Sequence, residues 1–209
     1  MSETREKFDR ASAKWDEEPR RVKLAEELAA AAAAEVGLAP HMDVLDYGCG
    51  TGLVTLRLQP FVRSITGADT STGMLDILRG KIRAPGVANV RVAMLEPGTG
   101  MKYMECFDLV VSCMTMHHIP DVQALLHDFR RVLRQGGTLA IADLDAEDGT
   151  FHGDAIPADH PGFDRGEMRE MMKEAGFGVI RDVTAASIEK VSGAGVQRFY
   201  TVFLMTGRT

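Results

Sequence analysis

Short apolar runs alternate with amphipathic segments along most of the chain, and this pattern predicts the secondary structure. Runs of apolar, mostly β-forming residues predict strands at 44–46, 64–69, 90–95, 107–114 and 138–144. Apolar residues three and four positions apart predict intervening helices, such as 53–61, and the glycine pair 136–137 is predicted to end the last of them. Strands that alternate with helices form parallel βαβ units, so the predicted fold class is α/β.

Both ends of the chain carry helix boundary signals. Pro19 is predicted to start a helix, because its fixed φ and missing N–H are tolerated in the first turn, and Gly37 is predicted to end it. Near the other end, Asp164 opens a capping box and therefore predicts a further helix start. Residues 179–188 and 199–205 predict two more strands joined by a glycine-containing turn.

The turn after the first strand carries glycine at every second position, Gly48, Gly50 and Gly52, with Asp46 before them. Free backbone N–H groups at such a strand-to-helix turn can hold a carboxylate or a phosphate. The spacing differs from the Gly-x-Gly-x-x-Gly fingerprint of dinucleotide-binding proteins. A carboxylate at the strand tip is also a poor neighbour for a pyrophosphate and a good one for a cation.

The stretch from Asp46 to Gly52 resembles the first motif, Asp/Glu-x-Gly-x-Gly-x-Gly, of class I S-adenosylmethionine-dependent methyltransferases. In that family the loop wraps the methionine part of the cofactor. The resemblance implies a Rossmann-like three-layer αβα sandwich, whose seven-stranded sheet is mostly parallel with one antiparallel strand. It also implies a domain division into an N-terminal helical lid at 1–38 and a cofactor-binding methyltransferase domain at 39–209.

An acidic residue follows the glycines at close to the ~20-residue spacing expected for a ribose-binding carboxylate. Asp69 comes 17 residues after Gly52, at the predicted end of the second strand. The resemblance places Met74 beside the adenine, and it places Glu96 where family members usually have an aspartate. Ligands in parallel sheets bind outside the carboxyl ends of the strands. The predicted cofactor-binding residues are Asp46, Gly48, Cys49, Gly50, Thr51, Gly52, Asp69, Thr70, Met74, Leu95, Glu96 and Ser112.

Candidate acceptor-site residues lie in the N-terminal segment and after the fourth and fifth strands. The spacing from Phe8 to Trp15 resembles the start of small-molecule methyltransferases of the ubiquinone/menaquinone-biosynthesis type, in which this segment folds over cofactor and substrate. His117 and His118 are the candidate general bases, because histidine transfers protons near neutral pH. Adjacent residues do not easily both point inward, so one of them is predicted to be structural. The predicted substrate-binding residues are Trp15, His117, His152 and His160.

Composition limits the kinds of partner and the cellular location that we predict. A net charge of -6 and a pI near 5.5 argue against a broad nucleic-acid-binding surface. The chain holds three cysteines without metal-ligand spacing, so we predict reduced thiols in a cytoplasmic protein and no metal site. No apolar run approaches the ~18 residues of a membrane span, and the first ten residues carry no apolar signal segment. We therefore predict no nucleic-acid partner and no membrane partner.

The predicted function is methyl transfer from S-adenosylmethionine to a small-molecule acceptor. The fourth strand is not followed by the Pro-Pro-aromatic motif of relatives that methylate planar nitrogens, and no added domain would recruit a polymer. One alternative is an NAD(P)-dependent reductase, which Asp46 and the glycine spacing disfavour. Another is a non-catalytic cofactor-binding protein of the same fold. The acceptor atom and the oligomeric state stay open.

Overall fold

A computed structural model describes residues 3–96, 101, 106–151, 158–191 and 197–209. Within these residues seven strands form one sheet in the order β3-β2-β1-β4-β5-β7-β6. Strand β7 is antiparallel to its neighbours β5 and β6, and every other described pair is parallel. The strands are β1 Asp43–Tyr47, β2 Ser64–Asp69, β3 Val90–Met94, β4 Phe107–Cys113, β5 Leu133–Leu144, β6 Gly178–Val191 and β7 Gln197–Arg208. The predicted sheet, with its single antiparallel strand, is confirmed.

Helices cover both faces of the sheet and complete the predicted three layers. The described α-helices are α1 Glu3–Ala11, α2 Pro19–Val36, α3 Thr55–Leu58, α4 Thr72–Lys81, α5 Val122–Val132 and α6 Arg165–Glu174. Helices α2 and α3 share one apolar core with the sheet, and Leu56 of α3 packs with Leu75 and Leu78 of α4. Helices α5 and α6 enclose the second core on the opposite face.

The predicted helix boundaries at both ends of the chain are confirmed. Pro19 occupies the first turn of α2, and Gly37 ends the helix in the left-handed conformation with φ of 71°. Asp164 caps α6, since its carboxylate accepts hydrogen bonds from the backbone N–H groups of Gly166 and Glu167 at 2.8 and 3.0 Å.

Two boundary predictions are wrong. The helix predicted at 53–61 is α-helical only from Thr55 to Leu58, because Pro60 has no N–H to continue it and a 3₁₀ turn follows. The glycine pair 136–137 does not end α5, which already ends at Val132. These glycines lie inside β5, where the register against β4 shifts, and Gly136 supplies the positive φ of 76° that the irregularity needs.

The N-terminal segment, defined here as residues 3–17, consists of α1 and a 3₁₀ turn at Ser12–Glu17. It contacts α4, whereas α2 packs against β4, β5, β6 and β7. The division of the chain at residue 38 stays a prediction. None of the described helices has both the length and the apolar character needed to cross a bilayer.

We expect Phe129→Ala to lower the free energy of unfolding by about 3–5 kcal/mol, because it empties a fully buried position. The Phe129 ring meets Tyr47 edge-on at 5.1 Å, next to the glycine turn. Phe61→Ala is the matched control, since that ring is 56% exposed, and its effect should stay within about 0.5 kcal/mol. Urea unfolding monitored by circular dichroism measures both. Equal effects of the two substitutions would contradict the described core.

Candidate cofactor-binding site

A cavity of about 450 Å³ opens at the carboxyl edge of the sheet. The ends of β1, β2 and β4 form its floor, the glycine turn forms one side, and the N-terminal segment and α2 cover it. Of the twelve predicted cofactor-binding residues, Gly52, Glu96 and Ser112 do not line this cavity and the other nine do. The topology therefore gathers predicted residues from three separate stretches of sequence, 46–51, 69–74 and Leu95, at one place.

The glycine turn depends on the absence of side chains at two positions. All three glycines have positive φ, between 54° and 82°. A Cβ on Gly48 would lie 2.3 Å from the side chain of Thr115, and a Cβ on Gly52 would lie 2.4 Å from Leu78. Gly52 thus serves the close packing of the turn against α4, which explains its position outside the cavity wall.

Asp69 joins the tip of β2 to the glycine turn. One carboxylate oxygen accepts a hydrogen bond from the backbone N–H of Gly50 and the other accepts from Ser71, each at 2.8 Å. Burial raises the pKa of Asp69, and these backbone hydrogen bonds oppose that shift. The carboxylate is therefore held in place at the cavity wall, where an acceptor for ribose hydroxyls was predicted.

Asp46 is the more deeply buried of the two acids, with only 1% of its surface exposed. The hydroxyl of Thr55 donates to its carboxylate at 2.5 Å. Burial, supplemented by the nearby charge of Asp69, raises the pKa of Asp46 to about 7. Two carboxyl groups at one end of the cavity favour a positively charged ligand group there.

Two aspartates fasten the N-terminal segment over the cavity. Asp9 accepts from the hydroxyl of Ser71 at 2.6 Å and from the backbone N–H of Gly73 at 2.9 Å. A Cβ on Gly73 would lie 2.9 Å from the Asp9 carbonyl oxygen, so glycine is required for this close approach.

The second fastening holds the 3₁₀ turn against the glycine turn. Asp16 accepts from the hydroxyl of Thr51 at 2.6 Å and pairs with Lys81 at 2.5 Å. Phe8 and Trp15, whose ring centroids are 5.7 Å apart, line the cavity. The segment thus contributes its two large aromatic side chains to the roof.

The adjacent histidines have different environments. His117 is 1% exposed, and its Nδ1 lies 2.5 Å from the fully buried carboxylate of Asp143. His118 lines the cavity and meets Phe8 edge-on at 5.2 Å. The prediction that the two do not both point inward agrees with this arrangement, in which His118 faces the cavity.

Comparison with known proteins shows which proteins this chain is similar to. A family model described as a methyltransferase domain matches residues 45–141. This match supports the predicted class I S-adenosylmethionine-dependent methyltransferase domain over that part of the chain.

Among relatives, an uncharacterized methyltransferase of Schizosaccharomyces pombe is 32% identical over 149 residues, which cover 64% of this chain and 52% of that protein. An O-methyltransferase of Pyrenophora dematioidea is 31% identical over 156 residues, covering 69% of this chain and 57% of that protein. The chain therefore spans a little over half the length of these relatives. The YcgJ protein of Bacillus subtilis shares the fold, with a TM-score of 0.69 at 16% identity, covering 88% of this chain and 98% of that one.

The match to a methyltransferase domain confirms the prediction that the cofactor is S-adenosylmethionine, and the residues present fit this cofactor. The cavity combines a glycine-rich turn with carboxyl groups at the tips of β1 and β2, and this negative charge suits a sulfonium and an amino group. The individual roles of the lining residues stay predictions.

Several predicted site residues lie away from the cavity of the methyltransferase domain. Ser112 is fully buried and its hydroxyl donates to the Tyr47 carbonyl at 3.1 Å, so it joins β4 to β1. Glu96 follows β3 outside the cavity wall. Nε2 of His160 lies 2.9 Å from the Ile119 carbonyl oxygen, and His160 is not among the residues that line the cavity. His152 lies outside the described residues.

Sequence reasoning missed the contribution of α2 and of the residue after β4. Arg21, Leu24 and Leu28 line the cavity, although the sequence pattern indicated only a packing helix. The available signal was the basic pair Arg20-Arg21 in the first turn, ahead of the alanine-rich part of the helix. Met114 also lines the cavity, in the left-handed conformation with φ of 55° that non-glycine residues seldom adopt.

We expect Asp46→Asn to change the pH dependence of stability in the cofactor-free protein. A folded pKa of about 7, above the ~3.9 of the unfolded chain, means that the folded state binds the proton more tightly. Relative to Asp46→Asn, the wild-type protein should therefore lose stability as the pH rises from about 4 to about 7, and the difference should then level off. Urea unfolding at several pH values measures this. A stability difference that does not vary with pH would contradict it.

Proposed function

We propose that this protein transfers the methyl group of S-adenosylmethionine to a small-molecule acceptor. The observation that carries the proposal is the continuity of one cavity, from the glycine turn and Asp69 to His118 and an apolar wall. The bound cofactor supplies a methyl group that is already activated on a sulfonium. The chain's own residues then have to bind the cofactor and the acceptor, orient them towards each other and exclude water.

The cofactor end of the cavity is built from main-chain groups and two carboxyl groups. Asp69, fixed by Gly50 and Ser71, faces ribose hydroxyls in this proposal. Asp46 lies where a positively charged sulfonium or amino group offsets the cost of burying its charge. Met74 and Leu95 contribute apolar surface on the side of α4 and β3, where an adenine ring would lie.

The acceptor end is largely apolar and small. Trp15, Leu24, Met114 and Ile119 contribute to its walls. At about 450 Å³ the whole cavity is near the lower end of the roughly 300–1,000 Å³ of ligand sites, and it has to hold cofactor and acceptor together. An acceptor held there gains rate from proximity and orientation, since effective molarity supplies much of such catalysis.

His118 is the residue that we assign to proton removal from the acceptor. It faces the cavity, whereas its neighbour His117 is engaged with Asp143 below it. The centroids of the two histidine rings lie 4.2 Å apart, so the buried His117–Asp143 pair helps to hold the His118 ring in place. A histidine titrates in the range that this step needs near neutral pH.

The proposal includes a cytoplasmic location and a lid formed by the N-terminal part of the chain. The location is supported by the three cysteines, all of which are free. The lid is supported by the two aspartate fastenings, which join the segment to α4 and to the glycine turn through hydrogen bonds that can be exchanged for water.

The first test is calorimetric titration with S-adenosylmethionine, S-adenosylhomocysteine and NADPH. We expect the wild-type protein to bind the first two, and Asp69→Ala to weaken both at least about tenfold, because charge-assisted hydrogen bonds to the ribose are lost. Asp76→Ala is the control, since this exposed acid pairs with Arg79 and does not line the cavity. Binding of NADPH alone would overturn the methyltransferase proposal.

A second prediction concerns His118→Gln. We expect methyl transfer to an acceptor found by screening thiols and phenols to fall about 10²-fold or more near neutral pH, with affinity for S-adenosylhomocysteine unchanged. The loss should shrink as the pH approaches the pKa of the acceptor, which then ionises without help. A pH–rate profile of both proteins measures this. An identical profile for wild type and variant would remove His118 from proton transfer.

A further inference from the structure

An acid that the proposed function does not use lines the acceptor end of the cavity. This residue, Asp159, lies in the segment before α6 and lines the cavity together with His118 and Ile119. Its backbone N–H donates to the carbonyl oxygen of His117 at 2.9 Å, and the N–H of His160 donates to the same oxygen at 3.1 Å. Asp159 is therefore fastened to the turn that carries His118.

The stretch of chain that carries Asp159 is also fixed to the end of β5. Gly162 has a φ of 75°, and a Cβ there would lie 2.3 Å from the Asp145 carbonyl oxygen, so glycine is required for this close approach. Backbone hydrogen bonds of 2.8–3.0 Å join residues 161–163 to residues 144–147. The position of Asp159 at the cavity is therefore set by backbone contacts on both sides of it.

The side chain of Asp159 has its hydrogen-bonding capacity left for a ligand. Within the part of the chain that the structure describes, no group donates to this carboxylate and no cation pairs with it. The other two acids of the cavity differ, because Asp46 and Asp69 both accept hydrogen bonds from the protein. An ionised carboxylate only accepts hydrogen bonds, so the matching ligand group has to be a donor.

The two arginines that line the cavity are engaged elsewhere. Arg5 lies 4.0 Å from the carboxylate of Asp9, and the guanidinium of Arg21 stacks on the Trp15 ring with 3.7 Å between carbon and centroid. Neither of them lies at ion-pair distance from Asp159 in the described residues. The positive charge that Asp159 favours therefore has to come from a molecule in the cavity.

The surroundings of Asp159 suit an ammonium group. Phe8 lines the cavity and meets His118 edge-on at 5.2 Å, so an aromatic ring lies at the same end. An ammonium gains a charge-assisted hydrogen bond from a carboxylate and a cation–π contact from an aromatic face. An ammonium nitrogen has no lone pair with which to accept a methyl group. The accepting atom must then belong to a second group of the same molecule.

We infer that Asp159 selects methyl acceptors that carry an ammonium group together with a hydroxyl or a thiol. Asp159 and Phe8 hold the ammonium, and the hydroxyl or thiol lies at His118, which takes its proton. Asp159 is thus a specificity-determining residue, and this inference rests on the proposed methyltransferase function.

The experiment compares three phenols of one skeleton that differ in the charge of the side chain. They are tyramine, the uncharged 4-propylphenol and the anionic 3-(4-hydroxyphenyl)propionate, each titrated calorimetrically into protein saturated with S-adenosylhomocysteine. We expect wild type to bind tyramine best. Asp159→Asn should weaken tyramine about tenfold and leave 4-propylphenol and S-adenosylhomocysteine within twofold. Glu167→Gln is the control, because this exposed acid of α6 lies outside the cavity wall.

A charge-reversed variant tests the same point from the other side. Asp159→Lys should bind 3-(4-hydroxyphenyl)propionate better than tyramine, the opposite of the wild-type order. Thermal unfolding of each variant shows whether the fold is retained.

Three results would overturn the inference. The first is a wild-type protein that binds tyramine no better than 4-propylphenol, and the second is an Asp159→Asn protein with the wild-type affinity for tyramine. The third is equal loss of tyramine and 4-propylphenol, which would indicate a general effect on the segment. Failure of wild type to bind S-adenosylhomocysteine would sink the proposed function itself, and titration of the phenols into the free protein would then decide the role of Asp159 separately.

Discussion

The site depends on two close approaches that only glycine permits. Without side chains at Gly48 and Gly52, the turn after β1 lies directly against the segment after β4 on one side and against α4 on the other. This position brings the backbone N–H of Gly50 within 2.8 Å of Asp69 at the tip of the neighbouring strand. Strand tips that are far apart in the sequence thereby become one binding surface, at the edge where parallel sheets bind ligands.

Charge is distributed around this surface in a way that the fold enforces. Asp46 and Asp69 are buried at the glycine-turn end, where desolvation raises the pKa of each. The N-terminal segment uses its own acids, Asp9 and Asp16, for fastening and contributes aromatic surface to the interior. The cavity therefore combines two acids at the glycine-turn end, an apolar wall, and two arginines, Arg5 of the N-terminal segment and Arg21 of α2, the second of which stacks on Trp15.

Burial also separates two histidines that the sequence presents as equivalent. His117 is buried and its Nδ1 meets the carboxylate of Asp143, a pair that stabilises the turn after β4 because each of these two buried groups gives the other a hydrogen-bonding partner. His118, one residue later, faces the cavity. The same distinction applies to Ser112, whose position at a strand end suggested ligand binding and whose hydroxyl instead ties β4 to β1.

The sequence alone determined the alternation of strands and helices, the helix ends at Pro19, Gly37 and Asp164, and the glycine turn with the acid that follows it. Each of these depends on propensities or spacings within a few residues. The end of α5 was misplaced, because Gly136 serves a strand irregularity that exists only once β5 pairs with β4. Tertiary structure alone decided which side chains face the cavity, since that depends on burial and on contacts between distant segments. Arg21 shows the difference: its charge is visible in the sequence, but its stacking on Trp15 and its place in the cavity wall arise only when α2 packs beside the N-terminal segment.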